Sequence, residues 1–408
     1  MSENSERYGR RQFLKTAAGT AAGLTVVPAT AVRGSQANSR ITIGITGCGH
    51  RGDFVGSLFE KHTNSKVIAL HDYFSQRVNS LGDKLNVAAE RRYTGLEGYR
   101  QLMDKDVDVV AVMSPPYFHT DQILATLEAG KHLYSCKPLA VDVPSCKKIL
   151  QACRESKGKV SQLVDFQTRN HPLFREAVRR VFEGAIGNPV LGHVYYQAGR
   201  LGVKAKGDSD MARLLNWVFD IQLSGDIIVE QNIHVLDVGN WYLNSHPLKA
   251  YGTGGRKART DVGDCWDHFV ATFWYPNDVL VDFSSGQYLR GYDDLCIRVY
   301  GSEGTVDSHY GGPVTITGDH PWEGGRTDGI YTDGTVNNIK DFYTSVADGK
   351  PLFDTVEPSV ESNLTAILGR MAAYRNTVVT WEEMMESTEE FDPKLSLPEN
   401  GIGFQPNA

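Results

Sequence analysis

Between residues 40 and 165, short apolar runs alternate with segments in which apolar residues recur at helical spacing. The runs predict strands and the amphipathic segments predict helices. Strands that alternate with helices are typical of a parallel, doubly wound sheet, which binds its ligands at the carboxyl ends of its strands. The predicted strands are Ile41–Thr46, Lys66–Leu70, Val107–Met113, Lys131–Tyr134 and Lys159–Val164, and the predicted helices are Asp53–Lys61, Ser75–Ala88, His119–Ala129 and Pro144–Ser156.

The pattern changes near residue 165, after which strands follow one another through hairpin signals. We therefore expect an α+β domain with one large, mostly antiparallel sheet, closed by helices at Val336–Ala347 and Val360–Thr377. The predicted division is residues 1–38 as signal and linker, 39–165 as a Rossmann domain, 166–385 as the α+β domain and 386–408 as a tail. The predicted strands of the second half are Pro189–Ala198, Leu248–Gly254, His268–Tyr275, Val279–Gly286, Leu295–Tyr300 and Gly304–Asp307.

A glycine-rich motif separates the first strand from the first helix. It reads Gly47, Cys48, Gly49, His50, Arg51, Gly52, which is the G-x-G-x-x-G pattern of dinucleotide sites. The glycines allow a tight turn, close approach of backbone to a pyrophosphate, and packing of helix on strand. Asp72 ends the second strand, where a carboxylate binds the ribose hydroxyls. We predict NAD because Asp72 repels a 2′-phosphate. Arg77 lies near enough to attract one, so NADP stays as the less favoured alternative.

Charge and composition narrow the class of protein. The formal net charge of -7 gives no electrostatic reason to expect nucleic acid, and no apolar stretch is long enough to span a membrane. Because none of the 6 cysteines forms a C-x-x-C pair, we predict no metal site. A metal held by Glu230, His234 and Asp237 is a weaker alternative.

The N-terminus predicts export. Arg10-Arg11 with Phe13-Leu14-Lys15 precedes a small-residue, weakly apolar run, and Ala29-Thr30-Ala31 is a plausible cleavage site. Paired arginines in this setting resemble a twin-arginine signal. We therefore expect a periplasmic or other extracytoplasmic location; a basic, unstructured tail is the alternative.

Several downstream motifs resemble the Gfo/Idh/MocA family of glucose–fructose oxidoreductases and inositol dehydrogenases. The matching stretches cover residues 40 to about 385. They are Ser114-Pro115-Pro116 with His119, Ala129-Gly130-Lys131-His132, Lys137-Pro138-Leu139-Ala140, Phe166-Gln167-Thr168-Arg169, the segment from Glu230 to Asp237, and Ala366-Ile367-Leu368-Gly369 with Val379-Thr380-Trp381.

The resemblance implies a catalytic pair formed by Lys137 and His234. Spacing alone places Glu230, His234 and Asp237 on one helix face, where a carboxylate can fix the imidazole tautomer. The alternative is that these charges only bond within the core. Two residues depart from the family: Cys136 stands where Glu precedes Lys-Pro, and Glu230 stands where Asp precedes the histidine by four.

Further site residues follow from the same resemblance. Ser114, Pro115 and His119 are expected to contact the cofactor, as is Lys137. Gln167 and Arg169 begin the second domain and are expected to contact substrate together with Lys137, Glu230 and His234, although a structural ion pair is equally compatible with Arg169.

The resemblance implies NAD(P)-dependent oxidation of a secondary hydroxyl of a sugar or polyol. For an exported enzyme we expect a tightly bound cofactor that is recycled in each turnover. One alternative is an NAD-dependent, redox-neutral glycoside hydrolase that works by oxidation, elimination, hydration and reduction. Another is a non-catalytic sugar-binding relative. The second sheet should leave one face uncovered, so a homodimer or homotetramer is expected.

Overall fold

A parallel sheet of six strands forms the N-terminal domain of the described chain. The computed structural model describes residues 40–401, so the predicted export signal lies outside the described residues. The strand order 3-2-1-4-5-6 is that of a Rossmann domain. All four residues of β4 are buried, as expected for a parallel strand with helices on both faces. The strands are β1 (Ile41–Thr46), β2 (Ser65–Asp72), β3 (Arg92–Thr94), β4 (Val109–Val112), β5 (His132–Cys136) and β6 (Gln162–Asp165).

Five helices connect these strands. The helix α5 begins where the Asp142 side chain accepts a 2.8 Å hydrogen bond from Ser145 N, an N-cap that satisfies one free donor of the first turn. The helix α2 ends at Asn86, whose left-handed φ of 54° stops the helix three residues before the predicted end. The helices are α1 (His50–His62), α2 (Ser75–Leu85), α3 (Gly98–Met103), α4 (His119–Glu128) and α5 (Val143–Glu155).

A second sheet of nine strands fills the other half. All its strand pairs are antiparallel except β7 and β10, which run parallel. Its spatial order is β14-β13-β12-β11-β7-β10-β9-β8-β15. The strands are β7 (Pro189–Gly199), β8 (Lys249–Gly255), β9 (His268–Trp274), β10 (Leu280–Leu289), β11 (Asp294–Gly301), β12 (Gly304–His309), β13 (Pro313–Gly318), β14 (Trp322–Arg326) and β15 (Val379–Thr380).

Helices cover one face of this sheet and also reach the parallel sheet. Buried residues of both sheets and of the covering helices share one apolar core, so the two halves form one compact unit from Arg40 onward. The helices are α6 (Pro172–Phe182), α7 (Asp210–Leu215), α8 (Ile221–Ser224), α9 (Ile227–Glu230), α10 (Ile233–Leu243), α11 (Ile330–Ala347), α12 (Val356–Arg375) and α13 (Trp381–Met385).

The fold class is as predicted, but several elements differ from the prediction. Strands β3, β13, β14 and β15 and helices α3 and α6 were not predicted; all of them except the 11-residue α6 have 6 residues or fewer. The residues after α13 pack on the parallel sheet: Tyr73 Oη donates to Pro398 O at 3.1 Å, and Thr94 Oγ1 donates to Asn400 O at 3.0 Å. Over residues 40–401, none of the helices is both long and apolar enough to cross a bilayer.

Candidate functional site

The glycine motif forms a tight turn between β1 and α1. Gly47 N donates to His71 O at 2.7 Å, and Gly47 has a left-handed φ of 88°. A Cβ on Gly47 would lie 2.5 Å from the backbone of Met113, and a Cβ on Gly52 would lie 1.9 Å from Gly47 O. These two glycines are therefore required by the close packing of the turn itself.

Gly49 differs because a Cβ there would meet almost nothing. Its nearest neighbour would be Arg77 Nη1 at 3.9 Å, so open space lies in front of this backbone. Gly49 is also the N-cap of α1, and no side chain caps this helix end. Free N–H groups and the positive end of the helix dipole at such a position favour a phosphate. The turn thus fits the pyrophosphate of a dinucleotide, as the motif predicts.

Asp72 lies beside this turn at the carboxyl end of β2. Its Oδ2 accepts from Cys48 N at 2.8 Å, its Oδ1 accepts from Phe74 N at 2.9 Å, and its side chain is largely buried. Arg77 Nη1 lies 4.0 Å from Oδ2 and its guanidinium stacks on Phe74. Asp72, Phe74 and Arg77 line a small cavity with Ser114 and Pro115. This cavity is where the sequence places the ribose end of the cofactor.

A cavity of about 460 Å³ lies between the two sheets, at the carboxyl ends of the parallel strands. It adjoins the glycine turn because His50 and Arg51 form part of its wall. It brings together residues that are far apart in the sequence, as the resemblance implies. The predicted residues that line it are His50, Arg51, Ser114, Lys137, Gln167, Glu230 and His234, together with Cys136.

Lys137 is held by Glu230 in this cavity. Lys137 Nζ donates to both the carbonyl oxygen and Oε1 of Glu230, the latter at 3.1 Å. Both side chains are nearly buried, with exposed fractions of 14% and 12%. An ammonium group has three donors, so one N–H of Lys137 remains for a ligand oxygen. The pair therefore points a positive charge and a free donor into the cavity.

Cys136 cannot supply the negative charge that the family's glutamate would bring. Burial raises the pKa of its thiol to about 12, so the thiol is neutral at physiological pH. Its sulfur lies 3.6 Å from His119 Nε2. Glu230 is thus the carboxylate that compensates the charge of Lys137.

His234 lines the same cavity. Burial, reinforced by the positive charges of Lys137 and Arg51, lowers the pKa of its imidazole well below the usual value. Its ring is therefore neutral at physiological pH and has one unprotonated nitrogen. The buried Nδ1 has no hydrogen-bond partner among the described residues. A neutral imidazole that lines a cavity beside an ammonium group can accept a proton from a ligand hydroxyl.

The predicted single helix face through Glu230, His234 and Asp237 is wrong. Helix α9 ends at Glu230 and α10 begins at Ile233, so a break separates the first carboxylate from the imidazole. Glu230 bonds to Lys137 instead of His234. One sequence signal for this break was overlooked: Asn232 is the N-cap of α10, and asparagine is favoured at N-caps and disfavoured inside helices.

Asp237 and Arg169 form a structural ion pair away from the cavity. Asp237 is fully buried, and its Oδ1 accepts from Arg169 Nη2 at 2.7 Å and from Ser362 Oγ at 2.8 Å. Arg169 also stacks on Trp241. It lines a separate surface cavity of about 770 Å³ rather than the one with Lys137. Of the two roles considered for Arg169, the structure shows the ion pair.

His119 is likewise structural. The ring is fully buried, with Nδ1 2.8 Å from Pro138 O and Nε2 2.7 Å from Ser114 O. Burial lowers its pKa to about 4. A neutral imidazole carries one N–H, so it donates to only one of these two carbonyl oxygens. The ring packs between the loop after β4 and the Lys137–Pro138 turn and supports the site from behind, and its full burial leaves no surface for the predicted cofactor contact.

Several lining residues were not found from the sequence. Tyr196, Asn216 and Tyr331 lie on the cavity wall, in separate parts of the chain that no motif connects. Gln231 also lies there, inside the segment from Glu230 to Asp237, although it was not singled out. Lys204 and Leu215 line both this cavity and a second one of about 500 Å³ in front of Gly49. The segment between β7 and α7 thus lies along the groove from the glycine turn to Lys137.

Asp165, at the end of β6, connects the glycine turn to the second half. It accepts from Arg51 Nη2 and, at 2.8 Å, from Asn338 Nδ2 on α11. Arg51 Nη2 also donates to Thr335 Oγ1 of the same helix at 3.0 Å. One carboxylate therefore fixes the nucleotide loop relative to α11.

A dinucleotide turn beside a lysine–histidine cavity defines an NAD-dependent oxidoreductase. Residues 41–163 match the family model described as "Oxidoreductase family, NAD-binding Rossmann fold", and residues 174–307 match that of the GFO/IDH/MocA C-terminal domain. The chain belongs to the Gfo/Idh/MocA family.

Relatives support this assignment over most of the chain. The chain is 26% identical to the uncharacterized oxidoreductase YrbE of Bacillus subtilis, over 68% of this chain and 76% of that protein. It is 24% identical to myo-inositol 2-dehydrogenase of Thermotoga maritima, over 76% of this chain and 89% of that protein. The structure of scyllo-inositol dehydrogenase from Lactobacillus casei, with NAD(H) and scyllo-inositol, has a TM-score of 0.69 at 20% identity, covering 84% of this chain and 100% of that chain.

Proposed function

We propose that this enzyme oxidises a secondary hydroxyl of a cyclic polyol or sugar with NAD. The observation that carries the proposal is one cavity in which the Lys137–Glu230 pair and the neutral His234 lie next to the glycine turn. Relatives named as inositol 2-dehydrogenases point to the same class of substrate.

Each side chain has a defined task in this proposal. NAD, held by the glycine turn and Asp72, supplies the hydride acceptor. Lys137 donates its remaining N–H to the substrate oxygen and stabilises the negative charge that develops there. An imidazole nitrogen of His234 accepts the hydroxyl proton, because the low pKa leaves that nitrogen unprotonated at neutral pH.

Glu230 acts through Lys137 as a positioning residue. Its two contacts with Nζ leave the ammonium only one free donor direction. Glu230→Gln should therefore lower kcat while Glu230→Asp, which keeps the charge but is one methylene shorter, should restore part of it. A role on His234 would instead shift the acid limb of the pH–rate profile in Glu230→Gln, which loses the negative charge, and leave it nearly unchanged in Glu230→Asp.

The direct test combines substrate and product measurements. Purified protein is mixed with NAD and inositol isomers or free sugars, and NADH formation is followed by absorbance. We expect NADH formation that His234→Ala reduces about 10²- to 10⁴-fold with nucleotide binding unchanged. Equal turnover by wild type and His234→Ala would refute the mechanism.

The enzyme is also proposed to retain its cofactor through the turnover. Support comes from Lys204 and Leu215, which line both the cavity with Lys137 and the cavity in front of Gly49. Nucleotide should then copurify with the protein, and turnover with paired oxidisable and reducible sugars should proceed without added NAD. Release of phenol from aryl glycosides under these conditions would instead identify the redox-neutral hydrolase. Purification free of nucleotide, with full dependence on added NAD, would refute retention.

Export through the twin-arginine route is proposed from the N-terminal motif. Changing Arg10 and Arg11 together to lysine should leave the protein in the cytoplasm, as cell fractionation would show. Export of this variant at the wild-type level would contradict the proposal.

A homo-oligomer is proposed because the outer face of the nine-stranded sheet carries exposed apolar side chains. Tyr251, Val270 and Leu280 lie on this face with exposed fractions of 40%, 50% and 37%. Light scattering should give a mass of two or four chains, and Val270→Asp should lower it. A monomeric wild-type protein would contradict this.

A further inference from the structure

The outer face of the nine-stranded sheet also carries a cluster of metal-ligating side chains that the oxidoreductase chemistry does not use. In the β11–β12 pair, Cys296 lies opposite His309 and Arg298 lies opposite Asp307. Because alternate residues of a strand point to the same face, the side chains of Cys296, Asp307 and His309 converge. Spacing along the chain does not predict this cluster, since residues 296 and 309 are brought together by the strand register.

The three potential ligand atoms lie at distances suited to one metal ion. Cys296 Sγ is 3.6 Å from Asp307 Oδ1, and His309 Nε2 is 3.3 Å from the same oxygen. All three atoms lie within 4.8 Å of one another. With zinc bonds of about 2.3 Å to sulfur and about 2.0–2.1 Å to nitrogen and oxygen, a tetrahedral centre separates sulfur from oxygen by about 3.6 Å and nitrogen from oxygen by about 3.4 Å. The observed separations match these edges.

Neighbouring groups orient the ligands in the way metal sites require. Asp294 Oδ1 lies 2.6 Å from His309 Nδ1, which directs the other ring nitrogen to the cluster. Such carboxylate–histidine contacts are the usual support of a metal-bound imidazole. Arg298 Nη2 donates to Asp307 Oδ2 at 3.0 Å and leaves Oδ1 for the ion. The imidazole and the carboxylate are mostly buried, with exposed fractions of 15% and 28%.

We propose that Cys296 Sγ, Asp307 Oδ1 and His309 Nε2 bind one Zn²⁺ ion. A thiolate, an imidazole and a carboxylate favour zinc over Mg²⁺ or Ca²⁺, which prefer oxygen ligands only. The thiolate and the carboxylate together balance the charge of the ion. Tyr195 lies opposite Cys296 on β7, beside the three ligand atoms. The ion would join β11 to β12 on the face opposite the helices, independently of the nucleotide site.

The competing arrangement is a hydrogen-bonded cluster with a proton on His309 in place of the metal.

Full-length protein from which metal has been removed with a chelator is titrated with Zn²⁺, and bound metal is measured by mass spectrometry after desalting. We expect one equivalent in the wild type and in Cys153→Ser, a matched control for a buried cysteine on α5. Cys296→Ser and His309→Gln should each lose it. Equal zinc content in wild type and both variants, or no zinc in the wild type, would overturn the proposal.

Cobalt gives a second measurement that does not depend on how the variants fold. Co²⁺ added to the wild type should produce visible d–d bands of a tetrahedral centre and a near-ultraviolet thiolate-to-cobalt band, and Zn²⁺ should remove both. The same bands should persist in Cys153→Ser. Absence of the thiolate band in folded wild-type protein would refute the assignment of Cys296 as a ligand.

Discussion

Replacing Gly49 with alanine should separate nucleotide binding from folding. The added methyl group would have Arg77 Nη1 at 3.9 Å as its nearest neighbour, and the φ of -71° suits an alanine. Alanine is a poorer N-cap than glycine, which costs up to about 1 kcal/mol. Alanine also lowers the conformational entropy of the unfolded chain, which stabilises the folded state by about 0.4–1 kcal/mol. The free energy of unfolding should therefore change by less than about 1 kcal/mol.

Nucleotide affinity should fall far more. The methyl group would fill the space that a pyrophosphate needs in order to reach the N–H groups of α1. A hydrogen bond to a charged group contributes about 1.5–3 kcal/mol, so loss of one such bond weakens NAD binding about 10- to 150-fold. The dissociation constant is measured by NADH fluorescence after removal of copurified nucleotide, and stability by urea unfolding.

Gly52→Ala is the matched control, since it adds the same methyl group in the same turn. There the Cβ would lie 1.9 Å from Gly47 O, so this variant should be destabilised by about 1–3 kcal/mol or more. If Gly49→Ala binds NAD as tightly as the wild type while remaining folded, the nucleotide does not bind at this turn and the reasoning fails.

Three further predictions concern charge. Asp237→Asn leaves Arg169 without its buried partner and should lower the free energy of unfolding in urea by about 3–5 kcal/mol; a change below 1 kcal/mol would contradict this. His119 has a pKa of about 4 in the folded state and about 6.5 in the unfolded state, so the unfolded state binds the proton first as the pH falls. The free energy of unfolding in urea should therefore drop by about 2–3 kcal/mol between pH 6.5 and 4. His119→Gln should reduce this dependence on pH; the same dependence in the variant would refute a low pKa for His119. Lys137→Met removes a charge that lowers the pKa of His234, so the acid limb of the residual pH–rate profile should move to higher pH; an unshifted limb would exclude the interaction.

The sequence predicted the nucleotide half well because its signals are local. A strand, G-x-G-x-x-G and a helix occupy adjacent residues, and a turn that needs glycine leaves a trace in the sequence. Packing of the turn explains why Gly47 and Gly52 are glycines. The open space in front of Gly49 is visible only in the three-dimensional structure. The catalytic pair of Lys137 and His234 came from the family resemblance, and the structure brings both residues to one cavity.

The contacts of these residues could not be predicted from spacing. Helical periodicity joined Glu230 to His234, but a two-residue break after α9 directs the carboxylate to Lys137 on another element. Arg169 followed the last parallel strand, and only the tertiary packing pairs it with Asp237. Side-chain partners separated by 68 to 93 residues are set by how elements pack, which local sequence does not encode.

The position of Asp165 has a consequence for recombining this enzyme with its relatives. A chimaera that joins the N-terminal half of one protein to the C-terminal half of another would cross over near residue 165, where one sheet ends. That crossover separates Arg51 from Asn338 and Thr335. Arg51 and Asn338 both donate to Asp165, and Arg51 also donates to Thr335. Exchanges at this point should therefore fail unless α11 is carried over with the N-terminal half.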